Sequence, residues 1–471
     1  MENFFLILKK ISKKYDNKIF LVGEYIRDFI LGVSNKNSEI CFVTNDLERV
    51  VKDLTNEINI EYEKKDIYYI FKIKDLTIKF SLIEKPIKEY LMNKNFTINS
   101  MAVDIKNMEN LKYIDESFII DPFNGAKDIE SEIIKLNKES ILKKNPSLIL
   151  KSVKYMSKLR FKLNKDLIDS IKKNRELLYR LDEEIIRDEL FEILKLKNSY
   201  YYLTFMDEKL NILNIIFPEI DDMKEVGKCK YHVLNCYKHS IYTLKIVEDI
   251  IYADSFFEDH LREKYEQHFS KRVFNNRSRI ELVKLGALLH DSGKPLAKWV
   301  DKTGRTRFKG HEITGLKVVD DIYKRLKLSE RERDILRKIV SKHMIPLNSY
   351  IMNDVSGKTL YNIFCETGNE TFDILLIALA DIVSTRKLLD PNEEMGKYKV
   401  HIEYMANNYL TRYKEVEDIS DIIDYRDIID KFNVEKKKAK DIIKEVKKAI
   451  YLGKIKKIKK EILLYIEDLL K

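Results

Sequence analysis

Glycine and proline are scarce in this chain, thirteen and seven among 471 residues. So few breakers leave little room for long loops and point to helices joined by short connections. Cysteine is scarcer still: four residues, at 41, 229, 236 and 365, with no CxxC pair. That scatter argues against a zinc ribbon and for a reducing compartment. No apolar run approaches the ~18 residues that would span a bilayer. The opening stretch MENFFLILKKISKKY carries apolar residues at 4, 5, 6, 8 and 11 and reads as amphipathic. Its apolar run is short and charge follows at once, which excludes a signal peptide. We expect a soluble, cytoplasmic protein with no membrane partner.

What is present suffices for ordinary cores: 44% of the residues are hydrophobic and 35% charged. Length alone suggests about three domains. The net charge of +10 is unevenly placed, because residues 431–471 hold fourteen lysines against six acids. A tail of this kind is either a solvated face or a sequence-blind grip on a phosphate backbone.

Residues 1–125 read as a small α/β unit. The runs IFLVG (19–23), EICFVT (39–44), IYYIFKI (67–73), LTIKFSLI (76–83) and MAVDI (101–105) are rich in β-branched and aromatic residues. Asp75 sits in the short break between the third and fourth, as in a hairpin. Beyond residue 125 strand signals fade and helical periods take over. The expected fold is mainly α with a small N-terminal α/β head. The expected division is a head at 1–125, a helical neck at 126–225, a helical bundle at 226–400 and a Lys-rich helical tail at 401–471.

The stretch VKLGALLHDSGKP (283–295) stands out. Val283, Leu285, Ala287, Leu288 and Leu289 run straight into His290-Asp291, and Gly293-Lys294 closes the run. It reads as a buried helix that delivers an imidazole and a carboxylate to a cleft floor. His239, His311, His343 and Asp381 accompany it. Singly, each histidine is more often a surface or hydrogen-bonded core residue than a ligand. Together, imidazoles and carboxylates suit a borderline-to-hard divalent transition metal. Six such groups, one of them a bridging carboxylate, suit two metals in one site.

This pattern resembles the HD phosphohydrolase superfamily in its two-metal form. The resemblance implies a helical bundle that acts on phosphate esters, with His239, His290, Asp291, His311, His343 and Asp381 as ligands. It implies Asp291 as the bridge and as a catalytic residue, and Lys294 as the catalytic cation that meets the substrate phosphate. Arg305 and Arg307, in the loop before His311, are further candidates for an anionic substrate. Two divalent ions are implied, and Mn, Fe, Ni, Zn or Mg all suit the ligand set. Glu312 and His232 carry weaker marks, the first as a partner of His311 and the second as a substrate contact.

A second resemblance spans nearly the whole chain. LVGEYIRDFILG (21–32), NFTINSMAVD (95–104), DPFNGAKDI (121–129), PSLILKSVKYMSKLRF (146–161), EEIIRDELFEIL (183–194), IIFPEI (215–220), GRTRFKGHEITG (304–315) and IDYRDIIDKFN (423–433) carry it. They are similar to bacterial CCA-adding enzymes and poly(A) polymerases, whose head has a nucleotidyltransferase fold and whose longer members carry an HD domain. That likeness implies RNA, with tRNA or its 3′ end foremost, and nucleotides as partners, with ATP and CTP as substrates of an active head.

The head departs from that family where its chemistry lies. Nucleotidyl transfer uses two Mg²⁺ ions held by carboxylates at i, i+2 on one strand. Here the pair falls on Asn37 and Glu39, or on Glu39 and Cys41, leaving one carboxylate either way. The paired glycines of the first motif are Gly23-Glu24. Arg27-Asp28 remain, while the Arg-Asp before FTIN is Lys94-Asn95. The base-reading positions fall on Lys144, Asn145 and Leu148, and expected arginines on Lys151 and Lys154; lysine lacks the planar fork of arginine. We therefore expect a metal-dependent phosphohydrolase on a tRNA-nucleotidyltransferase scaffold, acting on 2′,3′-cyclic phosphates or on nucleotide and RNA-end phosphoesters. Three alternatives stand beside it. One is a working CCA-adding or poly(A)-adding enzyme in which Asp46 or Asp104 supplies the missing carboxylate. The others are a non-catalytic RNA-binding protein and a regulator handling a signalling nucleotide.

Overall fold

A computed structural model describes every residue except 1, 15–17, 34–38, 74–75, 112, 227–233, 254–258 and 387–393, and the side chains of 2, 3, 386, 394 and 395. Asn37, Asp75 and His232 lie outside the described residues. The chain forms two compact units, one made of Met1–Glu189 with Glu208–Ile212, the other of Leu190–Asp207 with Leu213–Lys471. The fold is mainly helical with one sizeable sheet, near the N-terminus, as the sequence predicts.

That sheet has six strands: β1 (Ile19–Val22), β2 (Glu39–Thr44), β3 (Tyr62–Lys65), β4 (Tyr68–Ile73), β5 (Leu76–Leu82) and β6 (Ala102–Asp104). Their spatial order is β3-β4-β5-β2-β1-β6, with β2 and β5 parallel and every other pair antiparallel. The period-2 alternation of β2 sorts its side chains cleanly. Phe42 points to one face, where its ring centroid stacks 5.2 Å from Phe80. Cys41 and Val43 point to the other, with Phe20, Val22, Leu91 and Ala102. The five strand runs seen in the sequence are all present. β3 is the addition: its residues Tyr-Glu-Lys-Lys are all exposed, so it has no apolar alternation to reveal it. It is held by ladder bonds to β4 and by Tyr62 against Tyr69 and Phe71.

In the second unit, five helices build one bundle: Cys236–Tyr252, Arg279–Leu289, His311–Arg325, Glu330–Lys342 and Thr371–Arg386. The Arg279–Leu289 helix is buried on nearly every side, including Lys284. The Lys284 ammonium lies 3.0 Å from the Glu248 carboxylate, with both side chains sealed from solvent. It also donates to the carbonyls of Leu194 and Leu196, and Glu248 accepts from the Ser199 backbone at 2.8 Å. A buried charge is tolerated only when it is paired and hydrogen-bonded like this. The pair pins the central helix six residues ahead of His290. Further on, Ile428, Ile442, Val446, Ile462 and Ile466 form a small core of their own. The lysines around them are mostly exposed. No helix among the described residues is long and apolar enough to cross a membrane.

Breaking the buried pair has a measurable cost. Glu248→Gln should lower the stability of the helical unit in urea unfolding by on the order of 3 kcal/mol, because it strands a buried cation. Glu366→Gln, which removes only the partly exposed partner of Lys342, should stay within about 1 kcal/mol of the parent.

Candidate metal centre

Each chemistry-bearing residue of the bundle sits at or near a helix end or on a buried helix face. His239 lies on the Cys236–Tyr252 helix and Asp381 on the Thr371–Arg386 helix. His290 directly follows the Arg279–Leu289 helix, and His343 follows Glu330–Lys342. His311 opens its own helix after Gly310, whose φ of 88° is in the left-handed region.

Three of the imidazoles are oriented by the same local device. Nδ1 of His290 faces the Ala287 carbonyl at 2.8 Å, Nδ1 of His343 the Val340 carbonyl at 2.8 Å, and Nδ1 of His311 the Phe308 carbonyl at 3.0 Å. In every case the acceptor is three residues back. A carbonyl can only accept, so Nδ1 must carry the proton and Nε2 is left with its lone pair. Ser384 Oγ does a similar service for His239, 3.3 Å from its Nδ1.

The freed Nε2 atoms converge. His239, His290 and Asp381 form one group, and Asp291, His311 and His343 a second, the ligand atoms within each lying no more than 4.8 Å apart. Asp291 belongs to both neighbourhoods. Its Oδ2 is 3.3 Å from His290 Nε2 and 3.6 Å from His239 Nε2, while its Oδ1 is 3.2 Å from His311 Nε2. Asp381 Oδ1 is 2.9 Å from His239 Nε2, and the His311 and His343 Nε2 atoms face each other at 3.2 Å. Burial holds the His343 pKa down to about 3. Burial alone would raise Asp291, but Lys294 and His290 outweigh it and keep the carboxyl well below its usual range. Neutral imidazoles and ionised carboxylates are the protonation states a metal needs. His290 Nε2 is buried without a hydrogen-bond partner, as expected of an atom reserved for an ion. The six residues therefore fit two divalent ions.

Close approach depends on Gly293. A Cβ there would stand 2.1 Å from the His311 carbonyl oxygen and 2.4 Å from the Gly315 nitrogen. Without side chains at 293 and 315, the start of the His311 helix can lie against the turn that follows Asp291.

Asp291 and Asp381 form part of the wall of a cavity of about 530 Å³ that also exposes Lys294, Lys309, His311, Glu312, Phe308 and Asn348. Its size suits a nucleotide-sized ligand. Lys294 Nζ donates to Asp291 Oδ2, so its charge is already poised beside the carboxylates. Glu312 lies 3.4 Å from His311 Nδ1. Arg305 and Arg307 sit on a short hairpin outside the cavity lining, and Arg307 is paired with Asp301 at 2.8 Å. Lys309 is the cation of that loop which reaches the wall; in sequence nothing distinguishes it from its arginine neighbours.

The head has its own cavity, of about 360 Å³, and it gathers Gly23, Glu24, Glu39, Cys41, Lys94, Asn95, Leu148, Lys151 and Lys154. Glu39 and Cys41 both line it; Asn37, of the other alignment, lies outside the described residues. Glu39 is ion-paired with Lys79. Burial raises the Cys41 thiol to about 11 and keeps it protonated. Glu24 accepts from the Tyr155 hydroxyl and lies 3.6 Å from Arg27. Arg27 is buried and bonds Asp28 at 2.7 Å and Asn99 at 3.0 Å. Asp46 and Asp104 do not line the cavity; Asp104 caps the turn at Lys106. Two glutamates, Glu39 paired with Lys79 and Glu24 with Arg27 and Tyr155, stand there beside an un-ionised thiol and three lysines, a lining that fits a two-cation site poorly.

Known proteins resemble the bundle and most of the chain. The HD domain family matches residues 236–385. A "Multifunctional CCA protein" of Legionella pneumophila (strain Lens) is 22% identical over 351 residues, covering 69% of this chain and 74% of its own. An "A-adding tRNA nucleotidyltransferase" of Deinococcus radiodurans is 21% identical over 387 residues, covering 80% and 79%. Among solved structures, the Thermotoga maritima CCA-adding enzyme complexed with tRNA superposes with a TM-score of 0.63 at 17% identity, covering 100% of this chain and 95% of that one. That last likeness is one of fold.

If both ligand groups hold an ion, the full chain loaded with Mn²⁺ should carry two per molecule by elemental analysis. Asp291→Ala should fall below one. Gly293→Ala should retain the His239 group and lose ion from the His311 group.

Proposed function

Starting from a chain that belongs to the tRNA nucleotidyltransferase family and carries an HD domain, we propose that its chemistry is metal-dependent hydrolysis of a phosphoester at the bundle centre. The substrate class is a 2′,3′-cyclic phosphate or a nucleotide or RNA-end phosphoester. The observation that carries this reading is Asp291, which turns one carboxylate oxygen toward each of two three-ligand groups.

Two divalent ions held there would supply a water of lowered pKa and neutralise charge on the phosphoryl oxygens. The protein's own part is positioning. His239, His290 and Asp381 would hold one ion and His311 and His343 the other, with Asp291 placed to serve both. Lys294, now donating to Asp291 Oδ2, would meet a non-bridging phosphate oxygen as a point charge. Lys309 adds a second cation to the wall, beside the apolar side chains of Phe308 and Met344. Arg305 and Arg307 extend the positive path, Arg307 after leaving Asp301.

The head, in this reading, no longer transfers nucleotides and serves with the neck as a holding surface for RNA. Its fold matches that of a relative solved with tRNA, and its cavity keeps Lys94, Lys151 and Lys154 for phosphate. A second reading, a working nucleotidyltransferase, is favoured by the names of the relatives. It needs Glu39 to leave Lys79, and Glu24, already in the lining, to leave Arg27 and Tyr155.

Hydrolysis of 2′,3′-cyclic AMP and of a generic phosphodiester across several divalent metals tests the first reading. Turnover should fall by at least about a thousandfold in the His290→Ala/Asp291→Ala variant, and equal rates in the two proteins would contradict it. A tRNA lacking its 3′ end, offered with CTP and ATP, should not be extended; template-length extension would establish the second reading.

A further inference from the structure

The helical unit holds another cavity, apart from the metal centre and of about 390 Å³, whose lining includes Lys264, Lys271, Arg272, Arg279, Arg331 and Lys414 and no aspartate or glutamate. Six cations around one concavity repel each other unless counter-charge is near. The counter-charge at hand is partial and lies beneath the floor. Buried Glu370 takes Arg279 at 2.9 Å and Arg331 at 2.7 Å, and also Lys338 at 3.1 Å from outside the cavity. Buried Asp373 bonds His268 at 2.7 Å and lies 3.5 Å from Arg279 Nε. Lys414 is paired with Glu417. Lys264, Lys271 and Arg272 have no ion pair among the described residues.

A second feature marks the same place. Tyr409 and Leu410 of the wall belong to a π-helical turn, Tyr409–Tyr413. Such turns forgo regular helical hydrogen bonding and are frequent at functional sites. This one sets the Lys414 ammonium 5.1 Å over the Tyr409 ring and 3.1 Å from Asn369. It leads directly into the residue that closes the cationic ring. The aromatic residues of the wall are packed away: Phe372 and Tyr409 are 4% and 2% exposed, ring against ring with one another and, for Phe372, with Tyr265. They leave no open face on which a base would stack.

We propose that this cavity binds a compact polyphosphate anion, held by Lys264, Lys271 and Arg272 at the rim and by the buried Arg279 on the floor. Lysines meet the phosphates as point charges, and the arginine forks supply directed pairs. Recognition is of phosphate and not of base, so free tripolyphosphate and the phosphate chain of a nucleotide are equivalent ligands. The site is independent of the reaction at the metal centre.

Hydrogen exchange of the full chain, with tripolyphosphate, ATP or a short RNA oligonucleotide added, tests it. Tripolyphosphate and ATP should both slow exchange in residues 264–279 and 409–414. In the Lys264→Ala/Lys271→Ala/Arg272→Ala variant the affinity read from that protection should drop about tenfold or more, with an unchanged unfolding midpoint. The Lys271→Ala/Arg272→Ala variant should show a smaller loss of the same sign. Absence of protection at millimolar tripolyphosphate, parental affinity in both variants, or protection by RNA alone would each overturn the proposal.

Discussion

Three backbone carbonyls decide what the bundle can do. Those of Ala287, Phe308 and Val340 each take the Nδ1 proton of the histidine three residues on. That fixes the tautomer, aims Nε2 inward and holds three rings without calling on any other side chain. The carboxylate of Asp291 then completes both halves. Around this centre the rest is support. Lys284 and Glu248 anchor the central helix, and Gly293 lets the His311 helix come close.

The two cavities of family interest show opposite physical chemistry. In the bundle, four imidazoles converge on two carboxylates, and Lys294 and His290 keep Asp291 ionised against its burial. In the head, the one carboxylate of the strand pair is taken by Lys79, and the thiol beside it stays protonated because it is buried. The lining also carries Lys94, Lys151 and Lys154, which attract phosphate without holding a cation. A fold is retained by its core, here the apolar alternation of the sheet; a reaction is retained by its ligands, and the two are separable.

Much of this was legible in the residues, for definable reasons. The strands of the head declare themselves by β-branched runs, and the six-ligand pattern by its residue types. β3 stayed hidden because Tyr-Glu-Lys-Lys has no buried face. The buried role of Lys284 was hidden because its partners, Glu248 and the Leu194 and Leu196 carbonyls, are distant in sequence. The choice among Arg305, Arg307 and Lys309 rests on which of them lines the cavity, and only Lys309 does; no local pattern encodes that. The carbonyl tethers of the histidines are equally silent, since any residue supplies a carbonyl.

Anomalous diffraction from crystals of the full chain soaked in Mn²⁺ tests the central claim most directly, because one map reads both cavities. The account predicts two peaks about 3.5–4 Å apart on either side of Asp291, and none beside Glu39. A peak in the head between Glu39 and Cys41, with the bundle centre empty, would contradict it.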